Sequence, residues 1–379
     1  MEYNKNYTTI ILGGGISGLA TAFTLSKQNK NFLLISENIG GRVQNEKGVN
    51  YGAYFATHQY KNLKPFLKFK KEIKKTDIEF HREGKAYKMF SIQFAKVFLQ
   101  YVKFVWLMIQ FRSKYNTFKK KCETLGQERA MKENSYLFSL YHEKASDWIQ
   151  KNGIQKLVDE FASEPIYALT FTAPSEMNAF FFLQWSSEIF LNRVFEFDID
   201  WNLLQKNFHN NIVLDTVKEI KQNPMGYEII TKTGSYTCTH LISALPFWIS
   251  DTLLNLKRKH ILTNAYMHHI KGTLRPEWKH KRINLFSTGS QSFAIVEQTD
   301  GTFLLYSRHK TINIDNFFEN YTIIAEKLWE PAFANPNTLF SFDINKNLTV
   351  IGDVNIPGME DSFISGIYAA NKAIKNSNL

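Results

Sequence analysis

The sequence predicts an α/β fold that is assembled from separated segments of the chain, with a second, α+β domain formed by the intervals between them. Three patterns predict it: a strand–glycine–helix–strand unit within residues 1–40, short apolar strands over 212–246, and an apolar strand followed by Gly-Asp and a helix near residue 350. The length of 379 residues agrees with two or three domains. Apolar residues make up 44% and charged residues 21%, which is typical of a globular chain.

The first unit begins with a β-rich run at residues 7–12. Gly-Gly-Gly-Ile-Ser-Gly follows at 13–18, then a segment of helical composition at 19–28 and a second apolar strand at 31–35. This order of strand, G-x-G-x-x-G, helix and strand predicts a Rossmann-type βαβ unit that binds a dinucleotide. The alternative is a unit of the same shape whose glycines serve packing alone and which holds no ligand.

Each of the three glycines in the G-x-G-x-x-G turn has a predicted role. Gly13 permits the tight turn, Gly15 lets the backbone approach a pyrophosphate, and Gly18 allows close helix–strand contact. The phosphates would lie at the helix N-terminus, beside Ile16 and Ser17, where free N–H groups and the helix dipole favour negative charge. Glu37 would accept hydrogen bonds from the ribose hydroxyls and would repel a 2′-phosphate, which argues against NADP.

Further segments favour FAD over NAD. Gly40, Gly41 and Arg42 follow the acid directly, so that a glycine pair can cross the phosphates while the guanidinium pairs with a phosphate oxygen. Residues 48–53 supply another glycine-containing segment for close approach, which includes Gly52 and Ala53. Residues 348–353 form an apolar strand that ends in Gly-Asp, ahead of a terminal helix.

Together these residues resemble the FAD-dependent flavoprotein superfamily of amine oxidases, protoporphyrinogen oxidase and carotenoid desaturases. Its N-terminal G-x-G-x-x-G-L-x-x-A, its G-G-R and its C-terminal G-D…S-G…A-A are matched by Gly13, Gly15, Gly18, Leu19, Ala22, Gly40, Gly41, Arg42, Gly352, Asp353, Ser365, Gly366, Ala369 and Ala370. Two departures stand out. Only Asn38 and Ile39 separate the acid from G-G-R, and Asp361-Ser362 stands where the superfamily prefers Gly-Ala at the start of the last helix.

The resemblance implies a non-covalently bound FAD. It assigns cofactor contacts to Gly13, Gly15, Ile16, Ser17, Gly18, Glu37, Gly40, Gly41, Arg42, Gly52, Ala53, Val217, Gly352, Asp353, Ser362 and Phe363. Neither Cys122 nor Cys238 is near the C-terminal motif in sequence, and His58 is more simply a surface or packing residue than a covalent link. The FAD-binding domain would comprise residues 1–58, 208–250 and 345–379, and the substrate domain residues 59–207 and 251–344.

The pattern predicts helices over most of residues 61–207, strands at 266–274, 284–286, 293–297 and 303–307, and helix again at 315–329. A hairpin turn is expected at 299–302. Catalytic candidates are Lys271, which would hold a water near the flavin as lysines of amine oxidases do, and His268 and His269, of which one should face inward. A solvated strand lysine and a hydrogen-bonded core histidine are the simpler interpretations.

The predicted activity is transfer of a hydride from a CH–NH or CH–CH bond to FAD. A redox-neutral isomerase and a non-catalytic FAD-binding protein are the alternatives. The aromatic content of 15% favours a small apolar or aromatic substrate. Two cysteines exclude a disulfide framework and a four-cysteine metal site, and no metal motif is present.

The net charge of +11 has two concentrations, at residues 61–75 and 257–282. No nucleic-acid-binding motif accompanies them, so nucleic acid is not an expected partner. The apolar run 89–111 predicts core helix, a channel lining for an apolar substrate, or a helix resting on a membrane. No targeting segment is recognised, and a cytoplasmic protein with optional peripheral membrane contact is expected. The oligomeric state stays open.

Overall fold

The computed structural model describes residues 5–43, 45–46, 49–82, 84–89, 91–259, 261–335 and 338–377. The strands are β1 Lys5–Gly14, β2 Phe32–Ile39, β3 Asn45–Glu46, β4 Val49–Asn50, β5 Ala56–Thr57, β6 Leu67–Ile73, β7 Ile78–Arg82, β8 Lys85–Lys88, β9 Val194–Ile199, β10 Ile212–Leu214, β11 Val217–Asn223, β12 Gly226–Thr231, β13 Ser235–Ser243, β14 Ile261–Leu274, β15 Ile283–Phe286, β16 Ser292–Glu297, β17 Phe303–Ser307, β18 Phe318–Asn335, β19 Asp343–Asn345 and β20 Leu348–Val350.

The helices are α1 Ile16–Lys27, α2 Ile92–Ala95, α3 Phe98–Leu125, α4 Gln127–Lys132, α5 Ser135–His142, α6 Ala145–Lys151, α7 Gln155–Leu157, α8 Ser163–Thr170, α9 Ala179–Phe190, α10 Trp201–Gln205, α11 Phe247–Leu253 and α12 Met359–Ser377. A π-helical turn at Val158–Ala162 joins α7 to α8. One core, which also includes side chains of the second sheet described below, contains phenylalanines of α3 and α9: Phe104, Phe111, Phe118, Phe180, Phe181, Phe182 and Phe190.

The first sheet has the strand order β10-β2-β1-β13-β12-β11, and β20 pairs with β13. Strands β10, β2, β1, β13 and β20 are mutually parallel where they pair, whereas β11, β12 and β13 form an antiparallel meander. Apolar runs such as 10–12 and 33–35 are fully buried, as expected for parallel strands covered on both faces. Three separated parts of the chain thus build one sheet, and the predicted fold class is confirmed.

The second sheet has the order β18-β14-β17-β16-β15-β7-β8. One of its faces joins the core of α3, α8 and α9, and the other covers a smaller apolar cluster around Ile270 and Phe318. The four strands predicted between residues 266 and 307 are confirmed as β14 to β17. The turn between β16 and β17 is confirmed as well, with Gly301 at a φ of 77° and the Gln298 N–H donating to the carbonyl of Thr302 at 2.7 Å.

Two predicted helical stretches are wrong. Residues 315–329 instead form the end of a short 3₁₀ turn and most of strand β18. This strand pairs with β14 from Phe318 to Asn335. Residues 67–88 contain β6, β7 and β8, so the helical part of the second domain begins only at Ile92. In residues 315–329 apolar residues recur three or four positions apart, which imitates a helix, but backbone pairing with a neighbouring strand overrides this local pattern.

Candidate nucleotide-binding and active site

The carboxyl ends of four parallel strands, β1, β2, β13 and β20, lie at one edge of the first sheet. In open α/β sheets this edge is where ligands bind. Gly13 makes the first turn there at a φ of 102°, and a Cβ on it would lie 2.7 Å from the carbonyl oxygen of Ala244. A Cβ on Gly18 would lie 1.9 Å from the carbonyl oxygen of Gly13. Both glycines therefore serve the tight turn and the contact between α1 and the sheet.

Gly15 is different, because a Cβ on it would meet no atom within 4 Å. Gly15 is the N-cap of α1 and forms no side-chain cap hydrogen bond. The first N–H groups of a helix have no partner within the helix and attract an anion. The space beside Gly15 and the uncapped start of α1 are thus suited to a phosphate.

The second glycine segment lies across the first turn. The N–H of Gly40 donates to the carbonyl of Gly14 at 2.8 Å, and a Cβ on Gly41 would lie 3.1 Å from Cα of Gly15. Strand β2 continues to Ile39, which pairs with Gly14, so the short connection of Asn38 and Ile39 is part of the strand itself. The unusually short spacing between acid and G-G-R is therefore accommodated by extending β2.

Arg42 brings the two ends of the chain together. Its guanidinium lies 2.7 Å from a carboxylate oxygen of Asp353 and donates to the carbonyl of Ala332 at 2.7 Å. Its own carbonyl lies 1.7 Å from where a Cβ on Gly52 would be, so only glycine fits at that position. Arg42, Gly52 and Asp353, all predicted to contact the cofactor, form one group although 311 residues separate Arg42 from Asp353.

The C-terminal motif lies on the first turn of α1. The N–H of Gly352 donates to Oγ of Ser365 at 3.3 Å, and this hydroxyl lies 3.2 Å from Oγ of Ser17. A Cβ on Gly366 would be 2.3 Å from the Ser17 carbonyl oxygen, so glycine lets α12 approach α1 closely. Gly352, at a φ of 124°, again has open space at its Cβ position.

Glu37 and Val217 lie at the far side of the same edge. Glu37 is exposed near the end of β2, and β10 runs parallel to β2 with Leu214 opposite Ser36. The N–H of Asp215 donates to the carbonyl of Ser36 at 2.9 Å, which holds the start of β11, and with it Val217, beside this strand end. Hydrogen bonds from the Thr233 hydroxyl and from the N–H groups of Thr216 and Thr233 hold the pKa of Asp215 at about 2.

These residues fit the pyrophosphate and ribose of a dinucleotide. Open space at Gly15 and Gly352, the uncapped α1 and the exposed Glu37 surround the crevice at the strand ends. Ile16 and Ser17 lie in the first turn of α1. Ala53, which follows Gly52, and Ser362, in the first turn of α12, are half-buried. Phe363 is placed differently: its side chain is buried in the core and stacks on Phe66, with ring centroids 6.1 Å apart.

A buried chain of hydrogen-bonded polar groups connects Tyr51, which precedes Gly52, to the second sheet. The Tyr51 hydroxyl lies 3.0 Å from Nδ1 of His269, and Nε2 of His269 lies 2.8 Å from the Thr302 hydroxyl. Thr302 in turn donates to a carboxylate oxygen of Asp300 at 2.6 Å, in the exposed turn between β16 and β17. Because the Thr302 hydrogen is used on Asp300, His269 donates from Nε2 and accepts the Tyr51 proton at Nδ1. The chain leads from a fully buried phenol to a surface carboxylate.

The other two catalytic candidates are outside this chain of groups. Successive strand residues face opposite sides, and His268 contacts Glu326, with Nε2 and Oε1 3.1 Å apart. Burial lowers the pKa of His268, and the neighbouring Glu326 opposes that effect. Lys271 is exposed on β14 opposite Thr322. Both histidines are buried, and His269 is the one that contacts Tyr51.

Sequence reasoning missed Tyr51 and Lys327. The Lys327 ammonium lies 5.6 Å from the centre of the Tyr51 ring, and Lys327 pairs with Met267 on the same side of the sheet as His269. The prediction of a helix at 315–329 hides the position of Lys327. Only when this segment is taken as a strand beside β14 does Lys327 lie on the same side as His269. Tyr51 precedes Gly52 in a segment interpreted for its glycines alone.

The first turn of α12 carries two buried carboxyl groups. Glu360 accepts the N–H groups of Lys61, Asn62 and Leu63 at 2.9 to 3.1 Å. Asp361 accepts the Tyr115 hydroxyl at 2.7 Å, and burial raises the pKa of Asp361 to about 7. Cys122 lies close enough to Asp361 to be affected by its charge, although it is remote in sequence. Burial raises the pKa of this thiol well above its usual range, so it is not a ready nucleophile.

Residues 11–69 match a family model described as an NAD(P)-binding Rossmann-like domain. Similar solved structures include putrescine oxidase bound to putrescine, with 12% identity over 98% of this chain and 99% of that chain and a TM-score of 0.67. The CLA-producing fatty acid isomerase from P. acnes has 12% identity over 97% and 98%, with a TM-score of 0.69. Cyclohexylamine oxidase from Brevibacterium oxydans IH-35A has 14% identity over 98% and 100%, with a TM-score of 0.63.

The N-terminal segment is a Rossmann-like domain, both by the arrangement of β1, α1 and β2 and by the family model that it matches. Over nearly its whole length the chain has the same fold as putrescine oxidase and cyclohexylamine oxidase, so the fold implied by the motif resemblance is confirmed. Within the described residues, no helix combines the length and hydropathy that crossing a membrane requires. The same residues contain no group of three His, Cys, Asp or Glu side chains arranged to hold a metal ion.

Proposed function

We propose that the protein is an FAD-dependent oxidoreductase that oxidises a CH–NH or CH–CH bond of a small apolar or aromatic molecule. The observation that carries the proposal is the convergence of Gly15, Gly41, Arg42 and Asp353 on the uncapped start of α1. When bound, FAD would supply the hydride acceptor, and the protein would supply orientation, a dry cavity and proton handling. Similar folds in two oxidases of amines support the CH–NH bond as the first substrate class to test.

The proposed non-covalent cofactor is held by backbone rather than by a thiol. The N–H groups of Ile16 and Ser17 would face the pyrophosphate, and Glu37 would accept from the ribose. Arg42 would keep its ion pair with Asp353 or exchange it for a phosphate oxygen. The proposed FAD-binding domain comprises residues 1–58, 208–250 and 345–379, and the support for it is that β1, β2, β10 to β13 and β20 of the first sheet lie within these segments.

Purified protein is expected to retain FAD, to show the absorption bands of oxidised flavin, and to release the cofactor intact on denaturation. Anaerobic mixing with a panel of amines, porphyrinogens and polyenes should bleach these bands for the true substrate class. A colourless protein that does not bind added FAD would contradict the proposal. Turnover without bleaching would replace oxidation by isomerisation, the activity named for one similar structure.

We further propose that His269 handles the proton of the substrate through Tyr51. His269→Gln should lower the rate of flavin reduction by about 10²- to 10⁴-fold, the usual contribution of a general base, and flatten its pH profile. His268→Gln is the matched control, since this neighbouring imidazole contacts Glu326 on the other face, and it should leave the rate within about threefold. Equal losses in both variants would show a structural effect on β14, and no loss in His269→Gln would remove the base from the proposal.

A further inference from the structure

We propose that the outer face of α2 and α3 docks on an anionic membrane surface. This face is defined by six exposed apolar side chains: Ile92, Phe98, Leu99, Val102, Trp106 and Ile109. Each of them is at least half exposed, and Leu99 reaches 83%. The inference does not depend on the proposed function, because it concerns the side of α3 that faces away from the core.

Helix α3 is apolar on two opposite sides over its first half. At about 100° per residue, the inner residues Phe104, Leu107, Met108 and Phe111 share one side, and the outer face occupies an arc of about 100° on the opposite side. The inner side packs in the main core, which accounts for its apolar residues. Packing in the core does not account for the apolar residues of the outer side, and a contiguous exposed apolar stripe of this kind marks an interaction surface.

The charge around the stripe indicates its partner. Residues 84–122 contain nine Lys and Arg and no Asp or Glu, which is most of the net charge of +11 of the chain. On the helical wheel Lys103 and Lys114 border one side of the outer face and Arg112 borders the other. Lysine stems can lie along lipid while the ammonium reaches the phosphate layer, and Trp is favoured at that depth.

Several charges of the basic clusters noted in the sequence are already paired within the protein. Lys68 and Lys70 form ion pairs with Asp200 and Asp198 at 2.7 and 2.8 Å, and Arg258 pairs with Asp251. Around α3, Lys121 pairs with Glu133 at the far end of the helix, well past the apolar stripe. The positive charge beside the stripe therefore belongs to a segment that has no acidic residue of its own.

A bilayer fits this surface better than a second copy of the chain. An isologous dimer through the outer face would bring the same positively charged segment against itself. Anionic lipid complements the charge and solvates the apolar side chains at once, which is the mode of interfacial amphipathic helices. The stripe extends from residue 98 to 109, or about 16 Å, and would lie in the plane of the interface.

The full-length protein should sediment with vesicles of phosphatidylcholine containing phosphatidylglycerol, and far less with phosphatidylcholine alone or at high salt. Leu99→Glu/Trp106→Glu should lower the partition coefficient by about tenfold or more, because both apolar contacts are lost and negative charge is added. The matched control is Leu203→Glu/Met225→Glu, two exposed apolar residues elsewhere that should leave partition unchanged. Trp106→Phe should in addition remove most of the quenching of tryptophan fluorescence by brominated lipid.

Failure of the wild type to sediment with anionic vesicles would overturn the proposal, as would equal losses in the two double variants. Sedimentation velocity of the same proteins without lipid decides the remaining case. A wild-type dimer that becomes monomeric in Leu99→Glu/Trp106→Glu would assign the face to a second copy and overturn the membrane assignment. A monomer in both states together with selective loss of vesicle binding is the expected result.

Discussion

Gly15→Val is expected to give a folded protein that no longer retains FAD. A Cβ at this position meets no protein atom within 4 Å, so the side chain adds no clash to the fold. The backbone at Gly15 is extended, with φ −76° and ψ −179°, which valine adopts without strain. The isopropyl group would instead fill the space at the N-terminus of α1 where the pyrophosphate is proposed to lie. Bound FAD per chain should fall from about one to below about 0.1.

Two glycine variants separate this effect from a general effect of valine. Gly289 is exposed and also has open space at its Cβ position, so Gly289→Val should keep both fold and FAD. Gly18→Val should instead lower the melting temperature strongly, because its Cβ would lie 1.9 Å from the Gly13 carbonyl oxygen. FAD content and thermal unfolding are measured for all three proteins. Stoichiometric FAD in Gly15→Val would show that the pyrophosphate lies elsewhere.

The first sheet could be predicted because its information is local. Gly13, Gly18 and Gly366 are required where two backbones nearly touch, and their spacing along the chain therefore reveals the turn and the contact of α12 with α1. The Arg42–Asp353 ion pair could be anticipated only as two motifs of one family. Their direct contact depends on the parallel order of β2, β1, β13 and β20, which no local pattern specifies.

The second domain and the buried polar chain were harder to predict. Tyr51 and His269 are 218 residues apart, and the sequence around either residue does not indicate that the two are in contact. Lys327 was hidden by the helical spacing of apolar residues in β18, a strand that is held by its pairing with β14 rather than by its own pattern. The positive charge beside α3 was also underestimated, because its basic residues are spread over residues 84–122 rather than clustered.

Asp361 is the departure from the family pattern that has a physical consequence in the structure. It is buried in the first turn of α12, where it accepts the Tyr115 hydroxyl and lies 3.5 Å from the Gln184 amide nitrogen. Loss of solvent raises its pKa to about 7, and Glu360 and Glu188 act in the same direction. Lys119 and the Tyr115 hydrogen bond oppose them.

Asp361→Asn is expected to stabilise the protein at alkaline pH. The folded state holds the Asp361 proton up to about pH 7, whereas the unfolded chain releases it near 3.8. The stability associated with this group is therefore complete below about pH 4 and declines as the pH rises through about 7. The loss above that range is on the order of 4 kcal/mol. Asparagine keeps the acceptor for Tyr115 and removes the buried charge, so the variant should recover much of this free energy at about pH 8.

Asp215→Asn is the matched control, because the pKa of Asp215 is shifted in the opposite direction to that of Asp361. Hydrogen bonds hold the pKa of Asp215 at about 2, so its carboxylate stabilises the fold above about pH 4 and loses that effect as the pH falls through about 2. This variant should be less stable than the wild type at neutral pH. Denaturant unfolding of the FAD-free proteins between about pH 5 and pH 8 measures both effects without any turnover. A stability difference between Asp361→Asn and wild type that does not grow with pH would show that Asp361 stays ionised, because only a proton held by the folded state produces that slope.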